Sequence, residues 1–165
     1  TNAFRIAWFK VHYPREFYAT YFTVRADDFD SNIMTKGKDV VERYIKEYEA
    51  KGNEATAKEK NVLSILEVCN EMYARGIKFL PVDLYHSEAT VWVAKNDTEI
   101  YPPFNAIEGL GDTVAQNIVR ERNEQPFISI EDVQKRGKVS QTLIERMKFM
   151  GILDQMPESS QLSLF

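Results

Sequence analysis

The stretch that most constrains this chain reads Ile107-Glu108-Gly109-Leu110-Gly111-Asp112-Thr113-Val114-Ala115-Gln116-Asn117-Ile118-Val119. Two glycines flanking one apolar residue let the backbone turn tightly. A helix that starts at once leaves unpaired N–H groups at its positive end, a geometry suited to a phosphate oxygen. Ala115 keeps that helix slim where it packs, and Ile107, Leu110, Ile118 and Val119 anchor it. Glycine is common in turns, so one Gly-x-Gly is a weak signal. A degenerate copy strengthens it: Gly137-Lys138-Val139-Ser140 leads into Gln141-Thr142-Leu143-Ile144 and closes at Met150-Gly151-Ile152-Leu153. The residues placed to offer such a phosphate contact are Gly109, Leu110, Gly111, Asp112 and Thr113 in the first copy. In the second they are Lys138, Val139, Ser140 and Gln141.

Composition narrows what surrounds this unit. A 165-residue chain that is 44% hydrophobic can bury a core, which excludes wholesale disorder. No apolar run reaches the roughly 18 residues of a membrane span, and no charged-then-apolar leader opens the chain. One cysteine excludes an internal disulfide framework, and with only His12 and His86 beside Cys69 no structural zinc site is expected. The expected setting is a reducing cytoplasm. Net charge is −4 with pI near 5.3, so no broad polyanion-binding surface is expected. A chain starting at Thr1 rather than Met is expected to be processed or part of something longer.

The fold class expected is α+β, mainly α: helical segments, a small β-hairpin, a tandem hairpin unit and a flexible C-terminal tail. Phe4, Ala7, Trp8 and Val11 fall at helical spacing before Tyr13-Pro14, and Phe17, Tyr18, Tyr21 and Phe22 after it. So many aromatics on two short helices point to a face that packs on material preceding Thr1. Residues 36–51 and 55–75 read as amphipathic helices, the second with Cys69 in its buried stripe as a small hydrophobe. Asp27, Asp28 and Asp30 lack the regular spacing of a calcium loop and read as a solvated turn. Residues 77–83 read as a short extended segment, and 90–94 with 99–101 as a hairpin around Asn96-Asp97. His86, ahead of it, has no nucleophile or ligand set nearby. The organisation expected is a helical region (1–76), a strand and hairpin connector (77–104), the hairpin unit (105–156), and a linker with a terminal peptide (157–165).

Charge limits the hairpin unit. Residues 105–156 hold seven Lys and Arg against eight Asp and Glu, a net of −1. Counterion release from such a surface is small. Local positive charge comes from Arg120, Arg122 and the Lys135-Arg136-Gly137-Lys138 cluster, so an auxiliary contact with an anion is expected rather than a free-standing polyanion binder.

The chain stops at Gln161-Leu162-Ser163-Leu164-Phe165, apolar side chains that need cover. From chemistry alone, a tail folded on its own domain and a partner-binding peptide are even. The sequence resembles the pentapeptide by which bacterial replication and repair proteins hold the sliding clamp. There the glutamine anchors by hydrogen bonds and the final Leu-Phe pair fills an apolar pocket. Burying Leu164 and Phe165 would contribute about 1.5–3 kcal/mol each.

The two hairpins resemble the helix-hairpin-helix motif, which binds the DNA backbone without reading sequence. The whole chain resembles the C-terminal part of the PolC-type DNA polymerase III alpha subunit. Phe4-Arg5-Ile6-Ala7-Trp8-Phe9-Lys10-Val11-His12-Tyr13-Pro14 looks like the family's late fingers segment, and Lys78-Phe79-Leu80-Pro81-Val82-Asp83 resembles its "LPxD" element. The resemblance implies a role in template-directed DNA synthesis, as the part that grips product duplex and tethers the enzyme to the sliding clamp (the beta subunit) and packs on upstream domains. It also implies palm aspartates holding two magnesium ions for nucleotidyl transfer. Those residues would precede Thr1, so no catalytic residue and no cofactor is expected in this stretch, which alone should be inactive. Competing readings are a DnaE-type polymerase cut after its hairpins, a non-enzymatic DNA-repair adaptor with paired hairpins and a clamp-binding tail, and a helical module without DNA contact.

Overall fold

The computed structural model describes residues 1–160. Among them are eight α-helices and one three-stranded sheet, so the chain is mainly α with a little β. The described residues divide into two compact units: residues 1–80 with 91–102, and residues 81–90 with 103–160. The stretch 77–104, set apart by sequence as a connector, is thus shared between them.

In the first unit, helices α1 (Asn2–His12) and α2 (Pro14–Val24) are separated at Tyr13, where Pro14 opens the second helix. Proline fits that position because its missing N–H would be unpaired anyway. Asp27 and Asp28 lie in a single 3₁₀ turn, and Asp30 caps α3 (Ser31–Met34) by accepting from the Asn32 amide at 2.9 Å. Helices α4 (Lys38–Lys51) and α5 (Ala57–Ala74) pack on each other. Thr56 and Glu59 form a reciprocal capping box that starts α5. Cys69 is fully buried, and that burial pushes its thiol pKa up.

Strands β1 (Lys78–Phe79), β2 (Val93–Ala94) and β3 (Glu99–Tyr101) form a sheet in the order β1-β3-β2. The expected hairpin is the antiparallel β2–β3 pair, with Ala94 opposite Ile100, and β1 runs parallel on the other edge of β3. Phe22, Phe29, Phe79 and Trp92 make a mostly edge-to-face cluster, with Phe22–Phe79 centroids 5.0 Å apart and Phe29–Trp92 4.9 Å apart.

Helix α1 buries none of its residues within this unit. Phe4 is 70% exposed and Trp8 47%, and an apolar groove is lined by Phe4, Ile6, Trp8, Phe9 and Phe17 with Arg5 at its edge.

The second unit is built from α6 (Asp112–Glu124), α7 (Ile130–Gly137) and α8 (Gln141–Phe149) around one apolar cluster. Ala115, Ile118, Val133 and Met147 are fully buried at its centre. The loop 81–90 belongs to this cluster through Val82 and Leu84.

Candidate nucleic-acid interface

The first hairpin turn is made as its glycines predict. Gly109 has φ +85°, a left-handed conformation that costs a glycine little. The Leu110 side chain is 3% exposed and plugs the core, while its amide donates to the Ile107 carbonyl at 3.0 Å. Gly111 then caps α6 in extended conformation, φ −80° and ψ 168°, without any side-chain cap. The first-turn amides of Asp112, Thr113 and Val114 are therefore left for solvent or a ligand. Gly109, Gly111, Asp112 and Thr113 are all exposed.

The second turn has no Gly-x-Gly, yet it repeats the same path. Lys138 takes the left-handed position with φ +54°, the one non-glycine residue at positive φ among those described. Val139, also 3% exposed, is the plug, and its amide donates to the Gln134 carbonyl at 3.1 Å. Ser140 occupies the position of Gly111, φ −66° and ψ 157°. Here Ser140 Oγ accepts from the Leu143 amide at 3.3 Å, so one first-turn amide fewer is free. Gly137 is required by close approach: a Cβ there would lie 3.1 Å from Val139 Cγ2 and 3.3 Å from Ile118 Cγ1. The exposed Gln141 side chain is engaged on its own surface, donating to Glu145 Oε1 at 2.6 Å and accepting from Gln134 at 3.0 Å.

The structure brings these nine residues into two matched turns of one unit. A family model described as the helix-hairpin-helix motif matches residues 76–162, more than half of the chain. The chain belongs to the helix-hairpin-helix family. Over 99% of its length it is also similar to proteins named DNA polymerase III PolC-type. Identity is 56% with that of Caldanaerobacter subterraneus, of which it covers 12%, and 55% with that of Listeria welshimeri, of which it covers 11%. The relative from Lacticaseibacillus paracasei is 48% identical, again over 11% of its length. The chain thus spans about a ninth of the PolC-type polymerases it matches.

The local positive charge expected from Arg120, Arg122 and residues 135–138 is mostly committed within the helix-hairpin-helix unit. Arg122 is buried, donating to the Leu84 and Ser87 carbonyls at 3.1 and 2.6 Å, which pins the loop 81–90 on α6. Arg136 closes the C-terminal end of α6 through the Glu121 and Gln125 carbonyls at 2.7 and 2.8 Å, and its guanidinium lies 4.8 Å from the Phe127 ring centre. Lys135 pairs with Glu131 at 2.5 Å and Arg120 with Glu121 at 3.3 Å. Lys138 alone of this set has a side chain with no hydrogen bond or ion pair among the described residues, and it is exposed; only its amide is used, donating to the Gln134 carbonyl. Sequence spacing ranks these cations alike; only tertiary contacts separate them.

Asp112 opposes an anion at the first turn. It accepts from Asn105 Nδ2 at 3.1 Å, a neutral contact that leaves its charge in place. The "LPxD" aspartate, Asp83, shapes the adjoining loop: its carboxylate accepts from the Tyr85 and His86 amides at 2.9 Å each and from the His86 ring at 2.8 Å. Burial works against the charged form of Asp83, but these donors outweigh it and hold its pKa below the ordinary value. His86 is thus a partner of this loop.

Residues 157–159, in the stretch read from sequence as a short polar linker, are fastened to the unit. The Ile130 and Glu131 amides donate to the Pro157 and Glu158 carbonyls at 2.9 and 3.0 Å, filling the orphan positions at the start of α7. Lys148 pairs with Glu158 at 2.8 Å, and Ser159 donates to Glu131 at 3.1 Å. The expected clamp-binding residues Gln161, Leu162, Ser163, Leu164 and Phe165 lie outside the described residues. No group of three or more His, Cys, Asp or Glu that could hold a metal ion occurs among the described residues. No described helix is long and apolar enough to cross a membrane.

Proposed function

We propose that this chain is the duplex-gripping and clamp-tethering part of a bacterial replicative DNA polymerase of the PolC type. The observation that carries this reading is the pair of matched turns, each presenting helix N-terminal amides beside a left-handed residue. Such amides favour phosphate oxygens irrespective of base. Nucleotidyl transfer and its magnesium ions belong to carboxylates elsewhere in the polymerase, and this chain alone is inactive. The α1 groove seats other parts of the same polymerase, which make up most of each relative's length. The working place is the cytoplasm, at the replisome.

Gln161, Leu162, Ser163, Leu164 and Phe165 act as the peptide that holds the sliding clamp. A weak clamp contact and a weak duplex contact act as one strong attachment when linked, because the second event is intramolecular.

Primer extension by the full-length polymerase with and without residues 161–165, in the presence of its clamp, tests the tether. Product length per binding event should fall at least tenfold while single-nucleotide insertion stays within about twofold. Equal losses in both would count against it. Replacing Gly111, which lies outside residues 161–165, tests the duplex grip separately.

A further inference from the structure

The two hairpins are held by each other's second helix. Asn117 lies six residues after the α6 cap Gly111, and Arg146 six residues after the α8 cap Ser140. Asn117 is buried, and its Nδ2 donates to the Arg136 carbonyl at 2.9 Å, two residues before Lys138. Arg146 reaches the other way. Its Nη1 donates to the Glu108 carbonyl, one residue before Gly109, and lies 3.5 Å from Glu108 Oε2. The same nitrogen would be 3.6 Å from a Cβ on Gly109, so it backs the turn itself.

We infer that Asn117 and Arg146 are reciprocal positioning residues that lock each hairpin turn to the opposite hairpin, so that both anion-binding helix ends engage a duplex as one preorganised pair. An apolar residue at 117 would fill the core without the desolvation cost of a carboxamide. The amide is satisfied at both ends, since Asn117 Oδ1 also accepts from Arg120, which favours a single geometry. The Glu108 carbonyl beside Gly109 and the Arg136 carbonyl in the last turn of α7 each gain a donor from the other hairpin. Fixing both turns before contact removes ordering costs that would otherwise weaken binding. This inference rests on the reading of the turns as a duplex grip.

The test uses the full-length polymerase carrying R146Q, N117A, R146K or G111V, with a labelled primer–template duplex titrated over a range of salt. R146Q and N117A should each weaken binding about three- to tenfold, with R146K recovering much of the loss. Because neither side chain is assigned a phosphate, the slope of log affinity against log salt should stay unchanged. Amide exchange should rise in residues 105–113 for R146Q and in residues 134–142 for N117A, with the rest of each variant protected, which separates loosening of one turn from unfolding. A slope reduced by about one in R146Q would mean direct phosphate contact and overturn the positioning role. Unchanged affinity in R146Q and N117A, with G111V weakened, would overturn the lock and leave the grip standing. Unchanged affinity in G111V as well would remove the grip reading itself.

Discussion

Gly109 and Lys138 occupy the same backbone position in the two hairpins, φ +85° in one and +54° in the other, each followed by an apolar plug and a helix cap. For lysine that conformation costs about 1–2 kcal/mol. Lys138→Gly should therefore stabilise the fold by about 0.5–1 kcal/mol, after allowing for the extra freedom of glycine in the unfolded chain. On a domain this size that raises the melting temperature by about 1–4 °C. The same change removes the free cation of the second turn, so duplex affinity should fall and the salt slope should flatten by about 0.9. A stable variant with unaltered salt dependence would show that Lys138 does not face DNA.

Asp112 places a negative charge in the first turn of α6, beside amides that would bind phosphate. Asp112→Asn should tighten duplex binding about two- to fivefold at low salt, with the gain shrinking as salt screens the repulsion. The fold should lose about 0.3–1 kcal/mol, because the carboxylate also complements the helix dipole. Calorimetric melting together with fluorescence anisotropy reads both effects; weaker binding would mean that Asp112 makes a favourable contact.

The Asp83 pKa is lowered in the folded state, so the carboxylate contributes stability above its unfolded value near 3.8. That contribution is lost as pH falls through the still lower folded pKa. Asp83→Asn should thus lower the melting temperature at pH 7 and lose less of its relative stability between pH 5 and 3 than the parent chain does. Parallel curves for the two chains across that range would rule out this linkage.

Much of this architecture is legible in the sequence because its signals are local. The spacing of Val62, Ile65, Leu66 and Cys69 marks α5, and Asn96-Asp97 marks the β2–β3 turn. The parallel pairing of β1 on β3 is not legible, since it joins residues 21 apart with no turn to announce it. The hairpin at Gly109-Leu110-Gly111 is plain from its glycines. Its counterpart at residues 137–140 gives a fainter signal because Lys138 stands where glycine is expected, and only the backbone shows the two turns to be equivalent. Asn117 and Arg146 leave no sequence signal, as their partners are main-chain carbonyls, which every residue carries. The fate of the basic cluster is hidden for the same reason: Arg122 and Arg136 bind carbonyls across the fold.

Gly111 tests the central claim most directly. Its φ is −80°, and a Cβ built there meets nothing within 4 Å, so a larger residue fits the fold at the N-cap of α6, next in sequence to its free amides. The measurement is duplex affinity of full-length polymerase carrying Gly111→Val, across several unrelated DNA sequences at fixed salt, with melting temperature as the control. A grip on backbone phosphate predicts a similar loss for every sequence, about tenfold, with little change in melting. Undiminished affinity, or a loss confined to particular sequences, would contradict it.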